Sequence, residues 1–148
     1  MVADMETIDD PNPDPREAAA ELDAAGHAQR AVRDRPWPTW LYPINATLLG
    51  GVALAGLLRS SMLAAVLVVV LASALAALNY WAGRLMGTPF AIPTSTGFRV
   101  LVAASGLFII GSLVARSAGL DWVIVAFAAG AVVSYGLASV VHYRSTRR

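Results

Sequence analysis

Ser61 to Ala82 reads SMLAAVLVVVLASALAALNYWA, and no charged side chain appears after it until Arg84. A hydrocarbon core of roughly 30 Å needs about 20 helical residues at about 1.5 Å each, and inside it every backbone amide must find its partner within the segment. The stretch therefore reads as a membrane-spanning helix. On either side of it lie three more apolar stretches of the same kind, which predict spans at about 41–58, 98–115 and 120–141 beside the one at 61–82. Arg59, Ser60 and Ser61 are almost the whole connection between the first two spans, and Arg116 to Asp121 joins the last two. Connections this short force a reversal of direction. The predicted fold is an all-α membrane protein whose four transmembrane helices form two antiparallel hairpins, preceded by a cytoplasmic amphipathic helix.

The composition agrees. Of 148 residues 57% are hydrophobic and 14% charged, a balance that a soluble domain would struggle to keep off its surface. The net charge of +1 conceals a segregation, because every acidic residue except Asp121 lies at or before Asp34. All eleven basic residues are Arg, which with the abundance of Ala, Val, Gly and Leu fits a GC-rich coding bias. The absence of Cys removes disulfides, thiolate nucleophiles and cysteine metal ligands from consideration.

Residues 1–13, MVADMETIDDPNP, are acidic and proline-punctuated and are expected to be disordered. They are the opposite of a signal peptide, so the first span is expected to serve as the insertion signal. Residues 14–35 carry helix signals: Asp14 as N-cap, Pro15 in the first turn, and Glu17 three residues after the cap. Acidic Glu17, Glu21 and Asp23 near the start and Arg30, Arg33 and Arg35 near the end complement the helix dipole. The apolar stripe, Ala18, Leu22, Ala25 and Val32, is thin. It suits either a docking helix for a partner or a solvated helix near the membrane, with its Arg end drawn to anionic lipid. His27 has no second ligand at metal spacing and reads as a solvent-exposed histidine.

Residues 36–44 form a proline and tryptophan elbow within RPWPTWLYPIN. Its prolines forbid a continuous helix from the arm into the first span, and Trp37, Trp40 and Tyr42 are rings that settle at headgroup level. Tyr80, Trp81 and Tyr143 extend this belt, while Trp122 marks the opposite face. The belt explains these aromatics more simply than a ligand or proline-recognition site does. Gly83 to Arg99 is the one long internal loop, and its Leu85, Met86, Phe90 and Ile92 are too apolar for a free linker. Counting Arg on each side puts the arm, the long loop and the basic tail 143–148 together against Arg59 and Arg116 alone. The positive-inside bias then predicts both ends of the chain in the cytoplasm.

Within the fourth span Ala126, Gly130, Ser134 and Ala138 recur every four residues as a smooth ridge for close helix packing, either inside the bundle 41–142 or between protomers. Gly51 with Ala55 and Ala72 with Ala76 are weaker versions. Polar residues at depth are the usual pointer to transport or catalysis. Asn45, Asn79 and His142 fall near the cytoplasmic ends of their spans, where they either converge on a shallow polar cluster or simply meet interfacial water. No phosphate-cradling loop, metal-ligand cluster or catalytic signature stands out, and no cofactor is called for. A four-helix proton-coupled drug exporter would need a membrane-buried Glu, and none of the spans offers one. The acidic arm argues against nucleic acid.

The order EAAAELDAAGHAQRAVRDR, then the Trp, Pro and Tyr segment, then paired hydrophobic hairpins resembles small uncharacterised four-helix membrane proteins of high-GC actinobacteria. That resemblance is one of layout and composition. It implies a bacterial plasma membrane and no particular activity, and an archaeal source of similar codon bias fits as well. The expected function is that of a non-enzymatic accessory or regulatory subunit in the lipid bilayer, homo-oligomeric or bound to a membrane-protein partner. The alternative is a small permease or channel for an uncharged or cationic solute.

Overall fold

The computed structural model describes residues 14–33, 37–87 and 93–146, apart from the side chains of Arg30, Val32 and Arg33. Expectations for residues 1–13 and 34–36, for Phe90 and Ile92, and for Arg147 and Arg148 lie outside that set. The described elements are helical: α1 (Pro15–Arg33), α2 (Leu41–Leu54) continued by a 3₁₀ turn (Ala55–Leu57), α3 (Ser61–Leu85), α4 (Thr96–Ser117) and α5 (Asp121–Ser145). Helices α3, α4 and α5 are long and apolar enough to cross a membrane, with mean hydropathies of 2.6, 2.1 and 2.1, and Leu41–Leu57 is a shorter apolar helix. This is the make-up of a multi-pass membrane protein.

The helix ends run beyond the apolar windows predicted from sequence, α3 to Leu85, α4 from Thr96 to Ser117 and α5 to Ser145. Hydropathy marks the part that suits lipid, whereas the backbone ladder continues through polar turns until a cap stops it. Asp14 accepts the Arg16 N–H at 3.0 Å and Ser60 accepts the Leu63 N–H at 3.3 Å, which starts α1 and α3. Pro43 lies in the first turn of α2, where an N–H would have no helical partner in any case. At the end of α4, Gly119 takes φ +67°, and the N–H groups of Gly119 and Leu120 return to the carbonyls of Arg116 and Ala115. Only glycine adopts that left-handed step without cost, so the three-residue link between α4 and α5 depends on it.

The core is the packing of α2, α4 and α5, with α4 against α5 the most extensive interface. Leu41, Ala53, Ala55, Ile124, Ala131 and Ala138 are almost completely buried there. Two motifs of the same form interlock α4 and α5. Phe108 lies over Gly130, where an added Cβ would come within 2.9 Å of its ring, and Phe127 lies over Gly111, where the corresponding distance is 3.0 Å. The two phenyl rings themselves meet at 6.0 Å, tilted by 48°. Each helix thus carries Phe and Gly three residues apart, and each glycine makes the recess that the opposing ring fills. A third close approach joins α2 to α5 at Gly50, whose Cβ would meet Val132 at 2.8 Å.

Helix α3 packs on α2 and its 3₁₀ turn and makes no backbone approach to α4 or α5 among the described residues. Its Met62, Leu63, Val66, Val69 and Val70 are exposed, and Ala64, Ala82 and Gly83 are its buried residues. Helix α1 approaches none of the other helices among the described residues, and its Leu22 is 75% exposed.

Candidate functional site: a polar cluster beneath an aromatic cage

The polar residues of the bundle gather at the end where α2 begins and α3 and α5 approach their finish. Asn45, 2% exposed, faces Asn79 of α3, and the two amides exchange reciprocal bonds. Asn45 Nδ2 donates to Asn79 Oδ1 at 3.0 Å, and Asn79 Nδ2 donates to Asn45 Oδ1 at 3.1 Å. The second hydrogen of Asn45 goes to the Tyr135 hydroxyl at 2.8 Å, and that of Asn79 to the Leu75 carbonyl at 2.7 Å. All four amide hydrogens are engaged, which is what burial of a carboxamide demands. Three helices are joined by this cluster. It is a polar tie between α3 and the rest of the bundle, reinforced on the surface by Trp40 against Trp81 at 6.0 Å.

Towards the helix ends stands a cage of rings around His142, which has no exposed surface. Trp37 and Phe98 each lie 5.2 Å from the imidazole, and Tyr42 lies 6.2 Å away. Trp37 also meets Phe98 edge-on at 5.6 Å. The short segment before α2 therefore folds inward over the end of α5. Arg99 Nε, donating to the Pro93 carbonyl at 2.9 Å, ties the entry of α4 to the same region, and Pro93 is fully buried.

Between the cluster and the cage is a partly open cavity of ≈240 Å³ lined by Trp37, Asn45, Leu49, Leu75, Asn79, Pro93, Phe98, Val102 and Tyr135. No charged side chain is among these. Elsewhere in the bundle, two buried serines are engaged with backbone carbonyls of neighbouring helices. Ser105 donates to Ala131 at 2.9 Å and Ser112 to Ala53 at 2.6 Å, so they act as interhelical ties.

The structure brings Asn45 and Asn79 together but places His142 among aromatic rings. The expectation that all three simply meet interfacial water is corrected: Asn45 is buried against Asn79 and Tyr135, and His142 is buried among Trp37, Tyr42 and Phe98. The belt is likewise divided. Trp40, Tyr80, Trp81 and Trp122 are exposed, whereas Tyr42 is buried, and Trp37 and Tyr143 are half-buried. Along the fourth-span ridge Ser134 and Ala138 are buried and Gly130 is covered by Phe108, but Ala126 is exposed. Tyr135, Gly50, Gly111 and the two phenylalanines are contributors that hydropathy and charge do not single out. The available signals were a Gly-Gly pair in the interior of a helix and the repeated Phe-x-x-Gly spacing.

Among the described residues no group of three or more His, Asp or Glu is placed to hold a metal ion. No known protein family, curated protein or solved structure matches the chain.

Proposed function

We propose that the chain is a four-span protein of the plasma membrane, built as the hairpins α2–α3 and α4–α5 with both ends cytoplasmic, and that it works as a non-enzymatic accessory or regulatory subunit. Helix α2 with its 3₁₀ turn is about 27 Å long at 1.5 Å per α-helical and 2.0 Å per 3₁₀ residue, close to the roughly 30 Å of a hydrocarbon core. The contacts of Asn45 near the start of α2 with Asn79 near the end of α3 support the first hairpin. Those of Phe108 with Gly130, and of Gly97 with Val141, support the second.

The observation that carries the accessory reading is the position of α1, a nineteen-residue helix that packs on no other described helix and presents Leu22 outward. Helices in proteins draw most of their stability from packing an amphipathic face, so a protein or lipid surface is the natural support for one that packs on no other described helix. The permease alternative requires a water-accessible polar path. Here the Asn45 and Asn79 amides bond to each other, and Ser105 and Ser112 bond to backbone, which favours a bundle that is packed rather than conducting.

Deleting Met1–Asp34 tests the proposal, with tagged full-length and truncated chains purified from native membranes. The truncated chain is expected to insert and melt as the full chain does, and to lose a partner that co-purifies stoichiometrically with the full chain. Loss of the truncated chain from the membrane, or a partner held equally well without the arm, would contradict it.

A further inference from the structure

The cavity beside Asn45, Asn79 and Tyr135 has a hydrogen-bonding pattern with one donor left over. Each amide hydrogen of the two asparagines has its acceptor, and the Tyr135 hydroxyl receives one of them through its oxygen. A tyrosine hydroxyl also carries a hydrogen of its own. That hydrogen has no acceptor among the described residues, although Tyr135 is only 5% exposed and lines the cavity. An acceptor placed in the cavity would complete the hydrogen bonding of this hydroxyl. The walls that surround it, Leu49, Leu75, Phe98, Val102 and Trp37, are apolar or aromatic, and no charge is present to balance an ion.

We propose that this cavity binds a neutral, lipophilic molecule whose carbonyl oxygen accepts the Tyr135 hydroxyl hydrogen. Aromatic Trp37 and Phe98 suit a flat conjugated head, and Leu49, Leu75 and Val102 suit its apolar body. An apolar cavity of about 150 Å³ takes a benzene-sized molecule. The ≈240 Å³ here admits a two-ring head or a short length of chain. A longer tail has a way out between α3 and α4, because among the described residues α3 packs on α2 and makes no close backbone approach to α4 or α5. Two sources carry this chemistry: a quinone-like carbonyl on a ring, and the ester carbonyl of a bilayer lipid. The proposal needs the folded bundle but no protein partner, so failure of the accessory reading leaves it standing.

The test uses the full chain in nanodiscs of ester-linked or ether-linked phosphatidylcholine, with 2-methyl-1,4-naphthoquinone as probe. Replacing Trp40, Trp81 and Trp122 by Phe leaves Trp37 as the reporter at the cavity wall, and a bound quinone quenches it. Saturable quenching is expected, weakened roughly five-fold by Tyr135→Phe, which removes the donor and keeps the ring. Val102→Phe, which fills the space, should abolish it. 2-Methylnaphthalene, which has no carbonyl, should fail to displace the quinone at equal concentration. Saturation in both lipids points to a ring carbonyl as the natural ligand, and saturation in ether-linked lipid alone points to the lipid ester as resident; either supports the proposal. Absence of saturable quenching in both lipids, full-strength binding by Tyr135→Phe, or displacement by 2-methylnaphthalene overturns it.

Discussion

Replacing Gly130 by Ala probes the interlock of α4 and α5 with a single carbon. That carbon would lie 2.9 Å from Cδ1 and Cε1 of Phe108 and 3.1 Å from its Cγ. Carbon atoms rest at about 3.5–4.0 Å, so roughly half an ångström or more must be found. Phe108 has little room to yield, since its ring is backed by Phe127, which in turn lies over Gly111. Either the ring leaves its rotamer or the helices part, and overpacking of this kind costs about 1–3 kcal/mol. Ala also gains about 1 kcal/mol of helix propensity over Gly on soluble scales. Gly136 on the same helix removes that ambiguity, because nothing lies within 4 Å of its added Cβ. The difference between Gly130→Ala and Gly136→Ala cancels propensity and should equal the packing penalty, about 1–3 kcal/mol. Thermal unfolding in one detergent measures both, with Val133→Leu as an exposed control. Gly130→Leu should be worse than Gly130→Ala, and adding Phe108→Leu to Gly130→Ala should restore part of the loss. Equal stability of the two alanine variants would refute the interlock.

Other outcomes follow from the polar ties. Ser112→Ala should lower stability by about 0.5–1.5 kcal/mol in the same melts by removing the bond to Ala53, while Ser73→Ala, on the exposed face of α3, should change nothing measurable. Asn45→Leu should cost about 1–3 kcal/mol, because it strips partners from both Asn79 and Tyr135, and Asn79→Leu should cost less, since Asn79 is half-buried and the bond from Asn45 to Tyr135 stays in place.

The helices were legible in the sequence because lipid imposes a length and a composition on them, and α3 satisfies both with no interruption from Ser61 to Tyr80. Caps were legible at Asp14, where a short polar side chain precedes Pro15. What hydropathy could not show was which face of each span turns inward. In a soluble helix the polar face marks the outside, but here the residues towards lipid and those towards the core are equally apolar, so Val133 and Ala131 look alike. Small residues gave part of the answer, at Gly130, Ser134 and Ala138. They failed at Ala126, because a four-residue repeat drifts around a helix of 3.6 residues per turn. Asn45 and Asn79 could be named as polar residues at similar depth. Their pairing, and the third partner Tyr135, depended on how α2 sits between α3 and α5, which no local spacing encodes. The burial of His142 hinged on the elbow folding back, a path that the prolines permit but do not dictate.

The central claim is the disposition of the chain across the bilayer, and single cysteines in the Cys-free protein test it directly. Ser60, Ala118 and Ser145 are all exposed, at the α2–α3 link, the α4–α5 link and the end of α5 respectively. Cysteines placed one at a time at Ser60 and Ala118 should react with an impermeant maleimide added to intact cells, and one at Ser145 should react only after the cells are opened. Labelling of Ser145→Cys in intact cells, with Ser60→Cys and Ala118→Cys protected, would contradict the orientation, and opposite behaviour of Ser60→Cys and Ala118→Cys would contradict the four-span arrangement.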